Sequence, residues 1–223
     1  MPATPAWPPK SAPRLFVPGP LAAGAVTGLD GPQAHYLSRV MRVGEGDVVI
    51  LCDDASGEWA ARVASAGKRD VVLTADELLR PREQVPDFTL CAALLKKDRF
   101  DLVLEKACEL GVARYRPVIT RRTVIERLNL DRLRSHMIEA AEQCGRTTLP
   151  LIDEPIKLSA LLRDWPAERT LYFADENGGE VFAPKPGPAA ILIGPEGGFD
   201  DAERSAIRSL PQAVAMSLGP RIL

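Results

Sequence analysis

The residues best suited to chemistry lie in one glycine-rich loop. Gly194-Pro-Glu-Gly-Gly198 follows five apolar residues, Ala189–Ile193, that predict a strand buried on both faces. Glycine has no Cβ, so its backbone N–H and C=O groups can approach a ligand closely. An ordinary tight turn between strand and helix is the alternative, but three glycines in five residues are more than turn geometry requires. The loop therefore predicts a ligand-binding site.

A second Gly-Pro pair, Gly219-Pro220, follows another predicted strand, Ala213–Ser217. We expect the two strands to be adjacent in a sheet, so that their Gly-Pro loops form two lips of one pocket at its carboxyl edge. Between them, Asp200 or Asp201 can cap a helix, with Glu203 as its capping-box partner. The apolar stripe expected on this helix consists of Ala202, Ala206, Ile207 and Leu210.

The loop does not match the known phosphate-binding signatures. The sequence has no G-x-x-x-x-G-K-[ST], and G-P-E-G-G is not G-x-G-x-x-G. A Rossmann fingerprint would also follow the first strand of its domain. We therefore exclude a Rossmann-like nucleotide or methyltransferase site.

Composition limits the class of protein further. The 223 residues carry a net charge of −2 and no apolar run near 18 residues, so we expect no membrane span. Cys52, Cys91, Cys108 and Cys144 form no C-x-x-C, and only two histidines are present, so no metal site is expected. Buried, reduced thiols in a cytoplasmic protein are the prediction. Residues 96–146 hold an excess of four positive charges and residues 147–223 an excess of four negative ones, which permits a basic face for a polyanion.

The N-terminal half is predicted to be β-rich. Residues 1–13 carry five prolines and predict a disordered tail, and residues 14–80 predict a small barrel or meander. A helix at 32–41 interrupts the predicted strands 14–17, 48–52, 59–63 and 71–74. Residues 81–87, with two prolines, form the best linker candidate.

Strands and helices alternate from residue 88 onward, which predicts an α/β domain with a mainly parallel sheet. Pro117 places one strand at an edge or a bulge. Gly111 is expected to end the helix that buries Phe100, Val103, Leu104, Ala107 and Leu110. The predicted strands are 88–95, 115–119 and 170–174, and the predicted helices are 99–110, 130–144 and 158–162.

Several motifs in fixed order resemble one family. Ile193–Phe199 and Leu218–Leu223 look like the loops of SPOUT methyltransferases, and His35–Arg42, Lys96–Val112 and Glu139–Arg146 are similar to segments of the RsmE family, the bacterial 16S ribosomal RNA (uracil-N3)-methyltransferases. The resemblance covers most of residues 14–223. It implies a PUA-like RNA-binding barrel followed by a SPOUT domain with a trefoil knot and helices on both faces. It also implies S-adenosylmethionine (SAM) as cofactor, 16S ribosomal RNA or the small subunit as partner, and a homodimer.

The resemblance also assigns residues to the cofactor. The knot would bring three segments around one SAM. The expected cofactor-binding residues are Ala174, Glu176, Ile193, Gly194, Glu196, Gly197, Gly198, Leu218, Gly219, Ile222 and Leu223. The family's motif continues beyond Arg-Ile-Leu223, so we expect the complete chain to be longer than the 223 residues.

Methylation of uracil N3 requires loss of the N3 proton and stabilisation of the negative charge on the uracil oxygens. Arg221 and Arg146 are the candidate cationic donors, and Glu196 is the candidate proton acceptor. Each has a simpler alternative: Arg146 can stabilise a helix C-terminus, and Glu196 can orient the backbone of the loop.

Basic residues predict the RNA contacts. His35, Arg39 and Arg42 are spaced to form a ridge on one helix, although a solvated helix face is the alternative. The remaining candidates are Arg14, Lys96, Lys97, Arg99, Arg121 and Arg122. Two other functions stay open: a SPOUT enzyme that methylates a different RNA position, and a catalytically silent RNA-binding module of the same fold.

Overall fold

The structure, a computed structural model, describes residues 7–9, 11–95, 97–124 and 128–219. It divides into two compact units. The first contains the described residues up to Gln84 together with Ala141–Leu149, and the second contains Val85–Ala140 and the described residues from Pro150 onward. The sequence pattern did not indicate that residues 141–149 belong with the first unit.

The first unit is a five-stranded sheet in the order β1-β3-β4-β5-β2. Strands β1 and β3 are parallel, and the other pairs are antiparallel. Its buried core includes Leu37, Val49, Leu51 and Leu73. The elements are β1 (Arg14–Phe16), β2 (Val26–Leu29), α1 (Gly31–His35), a π-helical turn (Tyr36–Val40), β3 (Val48–Cys52), β4 (Gly57–Ala66) and β5 (Val71–Pro81).

Most of the predicted elements of this unit are confirmed. The predicted helix 32–41 corresponds to α1 and the π-helical turn, and Arg42 follows it with φ +56°. Strand β2 was missed because Val26–Leu29 contains a glycine and only Leu29 is buried. The predicted disorder does not extend to Trp7, whose indole donates to Glu77 Oε2 at 3.1 Å and lies 5.1 Å from the Arg62 guanidinium.

The second unit is a parallel sheet, as predicted, in the order β12-β10-β11-β6-β7-β8, and β9 also pairs with β7. Its core packs Phe173, Leu192, Phe199 and Ile207 together. The elements are β6 (Phe88–Ala93), α2 (Lys97–Glu109), β7 (Arg114–Ile119), α3 (Leu130–Cys144, whose last four residues belong to the first unit), β8 (Leu151–Ile152), β9 (Ile156–Lys157), α4 (Leu158–Arg163), β10 (Thr170–Ala174), β11 (Ala189–Ile193), α5 (Asp201–Arg208) and β12 (Ala213–Met216). The predicted trefoil knot stays a prediction.

Two expectations about strand position need correction. The strands before the two Gly-Pro loops are not neighbours, because β10 lies between β11 and β12. Pro117 does not lie in an edge strand. It lies in a gap, since β8 pairs with Arg114 and Tyr115 whereas β9 pairs with Val118 and Ile119. The missing N–H of proline therefore falls where the outer pairing is interrupted.

The helix ends are confirmed, but part of the predicted apolar stripes is wrong. Asp200 and Glu203 form the predicted capping box of α5, and Gly111 follows α2 with φ +81°. Leu110 is 83% exposed because it lies beyond the end of α2. Ala202 and Ala206 are exposed, so only Ile207 and, in part, Leu210 of the predicted α5 stripe are buried. Cys144 is exposed as well, so the fourth thiol is not buried as predicted.

Candidate cofactor site

A cleft of about 220 Å³ lies at the carboxyl ends of β10, β11 and β12. Because the three strands are parallel, the loops that follow them meet at one edge. Every described member of the predicted cofactor set lines this cleft. The lining residues are Ala174, Asp175, Glu176, Ile193, Gly194, Pro195, Glu196, Gly197, Gly198, Ser217, Leu218 and Gly219. Ile222 and Leu223 lie outside the described residues.

Close packing and backbone conformation favour glycine at two positions of the loop. A Cβ on Gly194 would lie 2.9 Å from the ring of Phe199, which is buried against Phe173 with ring centroids 5.3 Å apart. A Cβ on Gly198, whose φ is +68°, would lie 2.6 Å from Glu176 Oε1. The glycines thus let the loop turn tightly over the end of β10, and they keep its backbone free of side chains where it borders the cleft.

The cleft rests on an ion-pair network that sequence reasoning missed. The buried carboxylate of Asp175 accepts hydrogen bonds from Arg204 and from Arg208, the latter at 2.6 Å, and Glu176 accepts one from Arg204. Both arginines are on α5, four residues apart, so they lie on the same face of the helix. The spacing of the two arginines and the acidic pair after β10 are visible in the sequence, but the pairing between them is not.

The network keeps both carboxylates ionised. Burial alone would raise the pKa of Asp175, but hydrogen bonds from Arg208 and from the Asn177 amide, and the positive charges of Arg204 and Arg208, lower it. The hydrogen bond from Arg204 lowers the pKa of Glu176. Two arginines balance the two carboxylates, and the partly exposed Glu176 is the ionised carboxylate at the cleft.

Three of the predicted RNA-binding arginines contact the loop and the helix that follows it. Arg99 lies 3.3 Å from Glu196, Arg122 donates to the Gly197 carbonyl, and Arg121 lies 3.2 Å from Asp200. The side chains of Arg99 and Arg121 are 70% and 76% exposed, so these ion pairs are weak and the guanidinium groups remain accessible to an anion. The structure thus brings these cations to the rim of the loop.

The three predicted catalytic residues do not lie together in one unit of the part of the chain that the structure describes. Arg146 belongs to the first unit, where its buried side chain donates from Nε to Glu83 at 3.3 Å. Glu196 is half exposed beside Arg99. Arg221 lies outside the described residues, as does the predicted RNA contact Lys96, whereas Lys97 begins α2. The catalytic roles of Arg146, Glu196 and Arg221 stay predictions.

The first unit contains two kinds of predicted RNA contact. His35, Arg39 and Arg42 are exposed, as a phosphate-binding ridge requires. Arg14 instead donates two hydrogen bonds to the buried Glu58, at 2.8 and 3.0 Å. Burial opposes ionisation of Glu58, but the bonds from Arg14 and Arg80 outweigh it and lower its pKa. Arg14 is therefore held inside the unit and is a poorer phosphate ligand than the exposed three.

The residues of the cleft fit SAM. Ile193 and Leu218 offer apolar surface for an adenine ring. The space beside Gly219 is open, since a Cβ built there would have no atom within 4 Å. The carboxylate of Glu176, which is partly exposed at the cleft, suits a cationic ligand. Among the residues that the structure describes, no group of three or more His, Cys, Asp or Glu side chains can hold a metal ion. Within the same ranges, no helix is long and apolar enough to cross a membrane.

Comparison with known proteins agrees with this geometry. An RNA methyltransferase domain matches residues 81–223, and an RNA methyltransferase PUA domain matches residues 29–76. The fold and the cleft therefore define an RNA methyltransferase with an N-terminal PUA-like domain.

Similar proteins narrow the class. Ribosomal RNA small subunit methyltransferase E of Rickettsia conorii is 28% identical, and the match covers 94% of this chain and 88% of the relative. The protein of the same name from Synechocystis sp. is 31% identical, and the match covers 94% of this chain and 72% of the relative. The enzyme of the same name from Neisseria gonorrhoeae, bound to SAM, has a TM-score of 0.85 at 29% identity over 95% of this chain and 91% of its own. A Legionella pneumophila structure with bound SAM gives 0.84 at 26% identity, with the same shares of the two chains. The chain belongs to the ribosomal RNA small subunit methyltransferase E family.

Proposed function

We propose that this protein transfers the methyl group of SAM to N3 of one uridine in 16S ribosomal RNA. The observation that carries the proposal is the cleft where β10, β11 and β12 end, because every described residue expected to bind the cofactor lines it. Membership of the methyltransferase E family and the SAM bound to the Neisseria gonorrhoeae relative support the same assignment.

The reaction makes demands that this chain's residues must meet. SAM, when bound, supplies a methyl group on a positively charged sulfur. The N3–H bond of uracil must break before N3 can accept that methyl group, and the released proton goes to a base, for which Glu196 is the candidate. Arg221 and Arg146 are the candidate donors to the uracil oxygens, where negative charge grows. Placing the two reactants together contributes several kcal/mol to lowering the barrier.

The uridine must be unpaired or flipped, because N3 lies on the Watson–Crick edge of the base. The exposed His35, Arg39 and Arg42 are proposed to contact phosphates in the first unit. Arg99, Arg121 and Arg122 are proposed to do so beside the glycine-rich loop. Phosphate contacts of this kind position the RNA, and the fit of the base in the site selects the uridine.

The partners follow from the same proposal. The substrate is 16S ribosomal RNA, either naked or in the small subunit, and the site of action is the cytoplasm. We propose a homodimer with two-fold symmetry. Light scattering on the complete protein tests it, and a mass of one chain at micromolar concentration would contradict the dimer.

The test is nucleoside analysis of 16S ribosomal RNA after incubation with the protein and isotopically labelled SAM. We expect labelled 3-methyluridine in naked RNA or in the small subunit. Arg221→Ala should reduce its formation about 100-fold, the loss typical of removing one transition-state donor, while SAM binding is retained. Label on another atom would indicate a different RNA methyltransferase. SAM binding without any transfer would indicate an RNA-binding module.

A further inference from the structure

We propose that Arg204 is a positioning residue that holds the Glu176 carboxylate in the cofactor cleft and so sets the affinity for SAM. The inference rests on the proposed function, because it concerns the same cleft. Arg204 does not itself line the cleft, whereas Glu176 does.

One guanidinium joins the two sides of the cleft. Arg204 Nη1 donates to Asp175, and Nη2 donates to Glu176 and, at 3.3 Å, to the Phe199 carbonyl. Asp175 and Glu176 follow β10 directly, and Phe199 directly follows the glycine-rich loop after β11. The Arg204 side chain is only 12% exposed, so its contacts are protected from water. The planar fork of arginine suits such a multiple contact, which a lysine ammonium cannot reproduce.

Among the residues that the structure describes, the other hydrogen-bond donor to the Glu176 carboxylate is its own backbone N–H. Its side chain is 37% exposed, and its carboxylate lies against the bare Cα of Gly198. The carboxylate is therefore wedged between the loop and the Arg204 guanidinium. Without Arg204, a flexible glutamate at this exposure gains rotamer freedom and orients toward water.

Arg208 provides a matched control. It is one helical turn farther along α5 and donates to the same buried Asp175 carboxylate, with Nε at 3.1 Å and Nη2 at 2.6 Å. Its described hydrogen bonds do not reach Glu176 or the loop. Loss of either arginine removes part of the Asp175 network, but only loss of Arg204 releases Glu176.

The test is SAM binding by calorimetry on the full chain, with Arg204→Met, Glu176→Gln, the double variant and Arg208→Met. We expect Arg204→Met and Glu176→Gln each to weaken binding about 10-fold, the loss of one charge-assisted hydrogen bond. The double variant should bind no more weakly than either single variant, because Arg204 acts through Glu176. Arg208→Met should bind like wild type.

Steady-state kinetics separates positioning from general damage. We expect the Arg204→Met variant to raise the KM for SAM while kcat and the KM for RNA stay near wild type. Arg204→Lys is the second variant, for use if Arg204→Met does not fold, because lysine keeps a positive charge beside Asp175. It should still weaken SAM binding, because one ammonium group cannot span the three acceptors of Arg204.

Different results would contradict the proposed function and the proposed role of Arg204. If wild type does not bind SAM, the proposed function is wrong. If wild type binds and Arg204→Met matches Arg208→Met, or if the losses from Arg204→Met and Glu176→Gln add fully in the double variant, the proposed role of Arg204 is wrong.

Discussion

Asp175 and Glu176 are adjacent in the chain but have different surroundings. The Asp175 side chain is fully buried between two arginines, whereas Glu176 is partly exposed at the cleft and bonded to Arg204. Removing one partner of a buried ion pair leaves an uncompensated charge, so Asp175 belongs to the stability of the fold. Glu176 is the carboxylate that remains available to a ligand.

Gly198→Ala tests the packing of Glu176 directly. The new Cβ meets Glu176 Oε1, and the positive φ costs about 1–2 kcal/mol of stability. Gly178→Ala is the control, because Gly178 has φ +96° and open space around its Cβ. We expect similar losses of stability in thermal melts, with weaker SAM binding in calorimetry only for Gly198→Ala. Equal SAM affinity in the two variants would contradict the packing argument.

At the scale of elements, an aromatic contact in the core anchors the glycine-rich loop. Phe199 is 1% exposed, contacts Phe173 edge to face, and occupies the space that a Cβ on Gly194 would need. The capping box of α5 follows at once. Loop shape is therefore determined by the core beneath it and by the helix that starts beside it.

Phe199→Ala is expected to lower the free energy of unfolding by about 3–5 kcal/mol and to weaken SAM binding, because the loop loses its anchor. Phe100→Ala removes a ring of the same size, also 1% exposed and packed edge to face on Tyr115. It should cost similar stability in urea titrations yet leave SAM affinity unchanged. If Phe199→Ala does not fold, Phe199→Leu serves as the test variant in its place. Equal effects on SAM binding would show that only global stability matters.

A buried aspartate makes the first unit sensitive to acid. Burial alone would raise the pKa of Asp53, but the Ser56 hydroxyl and the backbone amides of Leu21, Ala55 and Gly57 donate to its carboxylate and lower it to about 2. Because the pKa is lower in the folded state, the carboxylate stabilises the protein at neutral pH. That contribution is lost as the pH falls from about 4 through about 2.

Asp53→Asn tests this linkage. The difference in unfolding free energy between wild type and the variant should shrink by about 2 kcal/mol between pH 6 and pH 2, measured by urea titration at constant ionic strength. A difference that is independent of pH would mean that the hydrogen bonds do not favour the ionised carboxylate.

For the whole molecule, much of the fold could be predicted from the sequence because hydrophobic runs and turn residues act locally. Strand β11 and helix α3 were predicted with their observed ends, and the capping box of α5 follows from residue spacing. Strand β2 and the place of β10 between β11 and β12 depend on long-range pairing, which local patterns do not encode.

The candidate site divides in the same way. The cleft-lining loops were identified by motif, because glycines and a proline leave a signature in the sequence. The Arg204 and Arg208 network was not, because two helical arginines resemble a solvated face until their partner Asp175 is known to be buried. The internal position of Arg14 was not predicted either, because it depends on an ion pair with Glu58, 44 residues away in the sequence.

RNA affinity should depend on salt through the exposed ridge of the first unit. Arg39→Gln with Arg42→Gln should reduce the slope of log affinity against log salt by about 0.7–0.9 for each lost phosphate contact. Lys68→Gln with Arg69→Gln, two exposed cations in the turn between β4 and β5, is the control of equal charge. Filter binding of 16S ribosomal RNA measures both. An equal change in slope would indicate that net charge rather than the ridge determines binding.

SAM binding to the cleft tests the central claim most directly, by calorimetry on wild type and on Leu218→Arg. Leu218 lines the cleft and is 45% exposed, so the added cation obstructs the site without disturbing a buried core. The account predicts one SAM bound per chain by wild type and none measurable in the variant, with equal melting temperatures. No binding by wild type, or equal binding by both proteins, would contradict the assignment of this cleft.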